Sequence, residues 1–265
     1  RLTLAITGLR TPDSRPHSQF PSIAMNDPHI GHEHISKSYD VELSRLIDEI
    51  VRMGRIAAEQ LASAADAMAL RDSELAARVI DRDHAIDALE QEVSHDALRL
   101  LALRQPIARD LREILTALRA ASDIERIGDY AANMAKRSIA LNQTAPVPPA
   151  AALPQLAAVA GSLLSEVLVA YRQRDAALAR QVWERDEELD RLYTATFREL
   201  LTYMMEDPRN ITPCTHLLFM AKNLERIGDH ATNIAENVYF LVHGAPLAGE
   251  RRKGDTTASV VEPKA

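Results

Sequence analysis

Paired carboxylates that recur in both halves of the chain are the residues whose types and spacing could do chemistry. Residues 121–135 read ASDIERIGDYAANMA, and residues 221–235 read AKNLERIGDHATNIA. Each copy holds two carboxylates four residues apart, Glu125 with Asp129 and Glu225 with Asp229. Nine of the fifteen aligned positions are identical, whereas unrelated segments share about one. The repeat, at an offset of 100 residues, indicates an internal duplication.

A second carboxylate pair precedes each copy of this phrase. Asp83 and Asp87 lie in the first half, and Asp186 and Asp190 lie in the second. At about 100° per residue, the two members of a pair share one face of a helix, where they repel by about 0.2–0.5 kcal/mol when exposed. An antiparallel hairpin would bring the two pairs of each half side by side. Four converging oxygen ligands are what a site for hard cations requires.

The apolar residues of the repeated phrase lie on a different helix face from its carboxylates. Their steps of three and four residues are typical of the seam of a bundled helix. They are Ile124, Ile127, Ala131 and Met134 in the first copy, and Leu217, Met220, Leu224, Ile227, Ala231, Ile234 and Val238 in the second. We therefore expect the carboxylates to point away from the core of their own bundle. Asn133 and Asn233 continue the acidic stripe and are candidate outer-shell ligands.

Composition excludes several classes of protein. The chain has 265 residues, of which 46% are hydrophobic, 26% charged and 4% aromatic, as is typical of long helices. Its formal charge of −7, with no Lys/Arg run longer than residues 251–253, argues against nucleic-acid binding. The single cysteine, Cys214, excludes a disulfide framework. Without a cleavable leader or an uninterrupted apolar run of about eighteen residues, we expect a cytoplasmic protein with no membrane span.

Helical periodicity divides the chain into two equivalent halves. We expect three helices in each half, with Ser73 as the N-cap of the second helix and Pro106 ending it. The predicted segments are a disordered extension over 1–36, a first bundle over 37–145, a linker over 146–152, a second bundle over 153–244 and a disordered tail over 245–265. The predicted fold is all-α, two tandem three-helix bundles related by duplication and placed end to end.

Three stretches together resemble one known family. Residues 100–112 read LLALRQPIARDLR, residues 203–211 read YMMEDPRNI, and residues 224–236 read LERIGDHATNIAE. In combination they are similar to the PhoU family, the accessory and regulatory proteins of bacterial high-affinity phosphate transport. The similarity covers about residues 38–243. No nucleophile–base arrangement, phosphate loop or dinucleotide fingerprint accompanies it, so we expect no enzymatic activity.

The resemblance implies a fold, a cofactor and partners. It implies tandem three-helix bundles that bind multinuclear iron or zinc clusters through paired Glu/Asp-x-x-x-Asp motifs. It also implies a negative regulator of the phosphate-starvation response, acting between the transporter ATPase subunit and a sensor histidine kinase, with a homodimer as the expected assembly. The matching metal ligands are Asp83, Asp87, Glu125, Asp129, Asp186, Asp190, Glu225 and Asp229.

Three other interpretations of the acidic stripes stay open. The stripes are ordinary solvated helix faces if neighbouring arginines, such as Arg126 and Arg226, screen them. They dock a basic partner if the protein is a metal-free helical adaptor. A ferritin-like di-metal protein would need an inward-facing Glu-x-x-His on each of two helices, and here only Glu92-x-x-His95 occurs, in the first half.

Overall fold

Six long helices make up the part of the chain that the computed structural model describes, residues 28–104, 108–249 and 257, with side chains from Asp40 onward except that of Arg104. No strand occurs in these ranges. The helices are α1 (Pro28–Ala69), α2 (Ser73–Arg104), α3 (Ala108–Leu141), α4 (Leu153–Gln173), α5 (Ala176–Glu206) and α6 (Ile211–His243). Short 3₁₀ turns, Pro148–Ala152 and Pro208–Asn210, precede α4 and α6. The predicted all-α fold with three helices per half is confirmed.

Helix α1 begins earlier than the sequence predicted. It starts at Pro28, so the predicted disorder over 28–36 is wrong, while residues 1–27 lie outside the described part of the chain. The prolines before residue 30 suggested a broken segment, but proline lacks only a backbone N–H that the first helical turn leaves unbonded anyway. Of the predicted disordered tail, residues 245–249 carry no helix, and most of the rest lies outside the described residues.

Equivalent aspartates begin the second helix of each half. Asp72 accepts hydrogen bonds from the backbone N–H groups of residues 74 and 75 at 2.9 Å. Asp175 accepts from those of residues 177 and 178 at 2.9 and 3.0 Å. The predicted N-cap Ser73 is therefore wrong by one residue, because the carboxylate of the preceding Asp72 accepts hydrogen bonds from two N–H groups of the first turn.

The two bundles lie side by side, which corrects the end-to-end arrangement predicted from the sequence. Helix α3 packs along α6, and α1 packs along α4. At the α1–α4 crossing, a Cβ added to Gly54 would overlap the side chain of Leu168. A Cβ added to Gly161 would lie 4.0 Å from Cδ2 of Leu61. Since the residue numbers run in opposite directions along the two helices, α1 and α4 are antiparallel. The apolar seams of both copies are buried as predicted.

Helix α4 is the most apolar helix of the chain. Together with the turn before it, the segment Pro148–Gln173 is long and apolar enough to cross a membrane, with a mean hydropathy of 1.6 over an eighteen-residue window. The sequence prediction had recognised no such segment. Residues along its length, including Leu156, Leu163 and Val167, are fully buried, and α4 packs against α5 and α6. Its hydrophobicity is that of a core helix in a bundle.

Candidate functional site

The acidic pairs of each half face one another across two neighbouring helices. The first cluster consists of Asp83, Asp87, Glu125 and Asp129 on α2 and α3, and the second of Asp186, Asp190, Glu225 and Asp229 on α5 and α6. Both α2–α3 and α5–α6 are packed helix pairs. The structure therefore places the two predicted pairs of each half on neighbouring helices, and their role as metal ligands stays a prediction.

A glycine in each copy of the repeated phrase lets the two acidic helices approach. A Cβ on Gly128 would lie 2.8 Å from Cδ1 of Ile86 and 3.4 Å from Oδ1 of Asp83. A Cβ on Gly228 would overlap the side chain of Leu189 and lie 3.0 Å from Oδ1 of Asp186. A side chain at either position would push the helices apart, so these glycines serve packing and carboxylate placement together.

The first cluster is partly open to solvent. The side chains of Glu125, Asp129 and Asp87 are 25%, 37% and 46% exposed. Arg126 lies on the outer side, with 3.5 Å to Glu125 and 3.3 Å to Asp129. The predicted outward-facing stripe is therefore correct in this half.

Gln60 of α1 forms the inner side of the first cluster. Its Nε2 donates to Oδ1 of Asp83 at 3.0 Å. Its Oε1 is buried and has no hydrogen-bond partner, and it would lie 3.5 Å from a Cβ on Gly128. A buried carbonyl oxygen left without a donor is costly. It is also a suitable ligand for a hard cation.

Burial, with a smaller contribution from neighbouring carboxylates, raises the pKa of two carboxyl groups of the first cluster. Burial raises the pKa of Asp83, Gln60 lowers it in part, and the charges of Asp129 and Asp87 raise it further. Burial likewise raises the pKa of Glu125, with Asp129 and Asp87 adding to the effect. Each carboxyl thus feels charges from both helices, which makes the cluster attractive to a cation.

The second cluster is buried, contrary to the prediction that its carboxylates point outward. Asp186, Asp190 and Glu225 are only 1%, 3% and 4% exposed. Burial raises the pKa of Glu225, and Asp229 and Asp190 raise it further against the opposing effect of Lys222. The prediction failed because helix geometry fixes the face on which a side chain lies but not what the neighbouring helix places over that face.

A lysine lies within the second cluster. Nζ of Lys222 is 2.7 Å from Oε1 of Glu225 and 4.9 Å from the centroid of the Tyr193 ring. The other oxygen of Glu225 is buried without a hydrogen-bond partner. Sequence reasoning missed Lys222, although aligning the two copies shows Lys where the first has Ser122. It also missed Gln60, which lies outside the repeated phrase.

The two clusters differ in how well their side chains suit a metal ion. Among the side chains that the structure describes, no three from His, Cys, Asp and Glu are close enough together to hold one ion. The first cluster nevertheless suits a hard cation for three reasons. Its donors are carboxylate oxygens, it is partly open to solvent, and the carbonyl oxygen of Gln60 has no hydrogen-bond donor. The second cluster suits one less well, because the ammonium group of Lys222 already pairs with Glu225.

The remaining candidate residues lie apart from the clusters. Asn133 is exposed, and Asn233 donates to Asp123 at 3.3 Å across the α3–α6 interface. Asn233 is thus a contact between the two halves in this structure. Glu92 and His95 are both exposed, so the inward-facing arrangement of a ferritin-like site is not formed by this pair.

Comparison with known proteins matches both halves to one family. The sequence model of the PhoU domain matches residues 50–138 and 153–238. A protein from Xylella fastidiosa strain 9a5c, named a phosphate-specific transport system accessory protein PhoU homolog, is 60% identical over 227 residues, covering 86% of this chain and 96% of the relative. That name describes an accessory protein, in agreement with the expectation of no enzymatic activity.

Two solved structures share the fold. PhoU from Pseudomonas aeruginosa is 38% identical with a TM-score of 0.76, covering 78% of this chain and all of that one. The phosphate transport system regulatory protein PhoU from Streptococcus pneumoniae is 32% identical with a TM-score of 0.73, covering 79% of this chain and 99% of that one.

Proposed function

Because this chain belongs to the PhoU domain family along both of its halves, we propose that it acts in phosphate transport as a cytoplasmic accessory protein and represses the phosphate-starvation response. Relatives of this chain are named as an accessory protein and as a regulatory protein of phosphate transport systems. The expected partners are the ATPase subunit of a phosphate transporter and a sensor histidine kinase. A homodimer is the expected assembly.

The mechanistic part of the proposal rests on the two carboxylate pairs of the packed helices α2 and α3, whose charges act on Asp83 and Glu125 from both helices. Asp83, Asp87, Glu125 and Asp129 would hold iron or zinc, and the corresponding residues of the second half are candidate ligands by duplication. A bound metal supplies positive charge. That charge would offset the repulsion from neighbouring carboxylates which, together with burial, raises the pKa of Asp83 and of Glu125.

This neutralisation links metal content to the shape of the protein surface. Without a cation, repulsion between the helix pair α2–α3 favours separation of the two acidic stripes. With the charge neutralised, the stripes are held at one spacing, and Asp87 and Asp129, which are partly exposed, form part of a fixed surface. A partner that recognises that surface would sense whether the site is loaded.

Elemental analysis of tag-free protein tests metal binding. The protein is compared with a variant in which Glu125, Asp129, Glu225 and Asp229 are changed to Ala. Several iron or zinc atoms per chain, lost in the variant while helicity is kept, are expected. The matched control changes two exposed α2 acids, Asp81 and Glu92, to Ala and should keep the metal. Folded wild-type protein without metal would reject the metal-binding part.

Deletion of the gene tests the regulatory role separately. We expect phosphate-scavenging genes to be expressed in rich phosphate in the deletion strain, and repression to return with the wild-type gene. Normal repression in the deletion strain would overturn the proposed regulation.

A metal-free helical adaptor is the second candidate function. It is favoured by Arg126, which already pairs with Glu125 and Asp129, and by Lys222 beside Glu225. In that case the partly exposed first cluster would bind a basic partner directly. Variants lacking the acidic residues would then lose partner binding in pull-downs while the metal content stays unchanged.

A further inference from the structure

Lys222 is the main difference between the two acidic clusters, and we propose that its ammonium group is the resident counter-ion of the second cluster, confining divalent-cation binding to the first. Nζ of Lys222 is 2.7 Å from Oε1 of Glu225. Glu225 is 4% exposed and the Lys222 side chain is 33% exposed, so the carboxylate is shielded from water and an opposite charge beside it has a larger effect than in bulk water. The confinement of the metal rests on the metal-binding function proposed above.

Alignment of the two halves shows that the two acidic clusters differ at more than one neighbouring position. The offset of 100 residues places Ser122 at the position of Lys222. The offset of 103 residues that relates Asp83 to Asp186 places Glu90 at the position of Tyr193. The second cluster therefore has an ammonium group lying 4.9 Å from an aromatic centroid, a favourable cation–π geometry. The first has a hydroxyl group and a fifth carboxylate.

The first cluster also has space for a hydrated ion. A cavity of about 300 Å³ is lined by Asp87, Glu90, Gln91, Ser122 and Glu125. Glu90 thus shares this cavity with Asp87 and Glu125, and its charge makes a small contribution to raising the pKa of Glu125. Divalent cations with oxygen ligands commonly keep several waters, and a cavity of this size accommodates them.

The residues at equivalent positions of α1 and α4 also favour a cation in the first cluster over the second. Gln60 offers the first cluster a buried oxygen without a donor. The α1–α4 contacts relate Gly54 to Gly161 and Leu61 to Leu168, an offset of 107 residues that places Val167 at the position of Gln60. Val167 is fully buried and apolar. The first cluster thus gains an oxygen ligand where the second has only hydrocarbon.

Exchanging Ser122 and Lys222, which occupy equivalent positions in the two clusters, tests the inference. Tag-free protein is freed of metal and titrated with Mn²⁺ by isothermal titration calorimetry. Wild type should bind Mn²⁺ in the first cluster alone, so that Asp83→Asn with Glu125→Gln abolishes binding. Ser122→Lys should also abolish it, and Lys222→Ser should create an additional site. An unchanged stoichiometry in Lys222→Ser, or wild-type binding that requires the second cluster, overturns the confinement.

Thermal unfolding in EDTA tests Lys222 without any metal. Lys222→Met removes the ammonium group from the buried Glu225 and should lower Tm, with a smaller loss in a Glu225→Gln background. Arg78→Met, which changes an exposed cationic residue on α2, is the control and should leave Tm nearly unchanged. A wild-type Tm for Lys222→Met overturns the assignment. Wild-type protein that binds no Mn²⁺ here and holds no iron or zinc in the elemental analysis rejects the metal-binding function instead, and these Tm values then decide the role of Lys222.

Discussion

Asp123 of α3 and His230 of α6 join the two halves of the chain, with 2.8 Å between Oδ1 of the carboxylate and Nδ1 of the imidazole. Asn233 donates to the same carboxylate oxygen at 3.3 Å. The ring of Tyr130 lies against the imidazole, with 5.7 Å between centroids. Because Asp123 and His230 are only 14% and 21% exposed, this polar contact is largely shielded from water.

Asp123→Ala should lower the free energy of unfolding by about 1–3 kcal/mol, since two donors at a shielded interface lose their acceptor. Urea denaturation followed by circular dichroism measures the change. The matched control is Arg119→Ala, which removes an exposed hydrogen bond to Asn237 at the same α3–α6 interface and should change stability by less than about 0.5 kcal/mol. Equal effects of the two substitutions would show that the Asp123 contact has no special weight.

Gly228→Ala should destabilise the protein, by about 1–3 kcal/mol, although alanine favours helix more than glycine does. The added methyl group would overlap Leu189 and lie 3.0 Å from the buried Asp186. Gly161→Ala is the control, because the added methyl group would lie 4.0 Å from Cδ2 of Leu61, at ordinary contact distance. This substitution should stabilise the protein by up to about 1 kcal/mol. Thermal unfolding distinguishes the two, and stabilisation by both would contradict the close approach of α5 and α6.

Arg71→Ala should lower the unfolding free energy by about 1–3 kcal/mol. Nη2 of Arg71 donates to the carbonyl oxygens of Leu141, Asn142 and Thr144 at 3.2, 2.9 and 2.6 Å, which satisfies carbonyls at the end of α3. Arg71→Lys separates charge from geometry, since one ammonium group should restore only part of the loss. Full stability of Arg71→Ala in urea denaturation would contradict this role.

Glu166 should contribute stability that depends on pH. Hydrogen bonds from Arg185, one of them 2.6 Å long, hold the pKa of Glu166 below its ordinary value of 4.5. A carboxyl with a lowered folded-state pKa stabilises the protein above its unfolded-state pKa, and this contribution is lost as the pH falls through the folded-state value. The two side chains are 33% and 39% exposed, so the contribution should stay below about 1 kcal/mol.

Glu166→Gln should therefore reduce stability at neutral pH and have little effect near about pH 3. Urea denaturation at a series of pH values measures this difference. Glu184→Gln, which removes an exposed pair with Arg180 on the same helix, is the control and should show a smaller change. A constant difference between wild type and Glu166→Gln at every pH would refute the ionic contribution.

Periodicity predicted the helices well because the seams are regular and the breaks carry strong signals. Helix α3 runs from Ala108 to Leu141, as the sequence indicated, between a proline-containing break and a proline-rich linker. Helix α1 was placed late because its first turns lack an apolar period. The side-by-side packing of the bundles was missed, since the residues that decide it, such as Gly54 and Gly161, carry no directional signal by themselves.

The sequence predicted which acidic residues lie on neighbouring helices, but not how deeply they are buried or what covers them. Spacing alone placed Asp186 and Glu225 on faces that meet, and duplication identified their counterparts. Their burial depends on the helix that covers them, which spacing does not report. Lys222 was visible in the sequence as a difference between the copies, but its contact with Glu225 requires the three-dimensional arrangement of α6 against α5.

The crossing of α1 and α4 has a consequence for how the two halves can diverge. Gly54 contacts Leu168, and Leu61 contacts Gly161. Each half therefore contributes an equivalent glycine and an equivalent leucine, and each glycine lies against the leucine of the other half. This reciprocity defines an isologous interface in a two-fold homodimer. The chain thus has the geometry of a dimer fused into one polypeptide. Identical subunits must change together, whereas here one half can carry Lys222 while the other keeps Ser122.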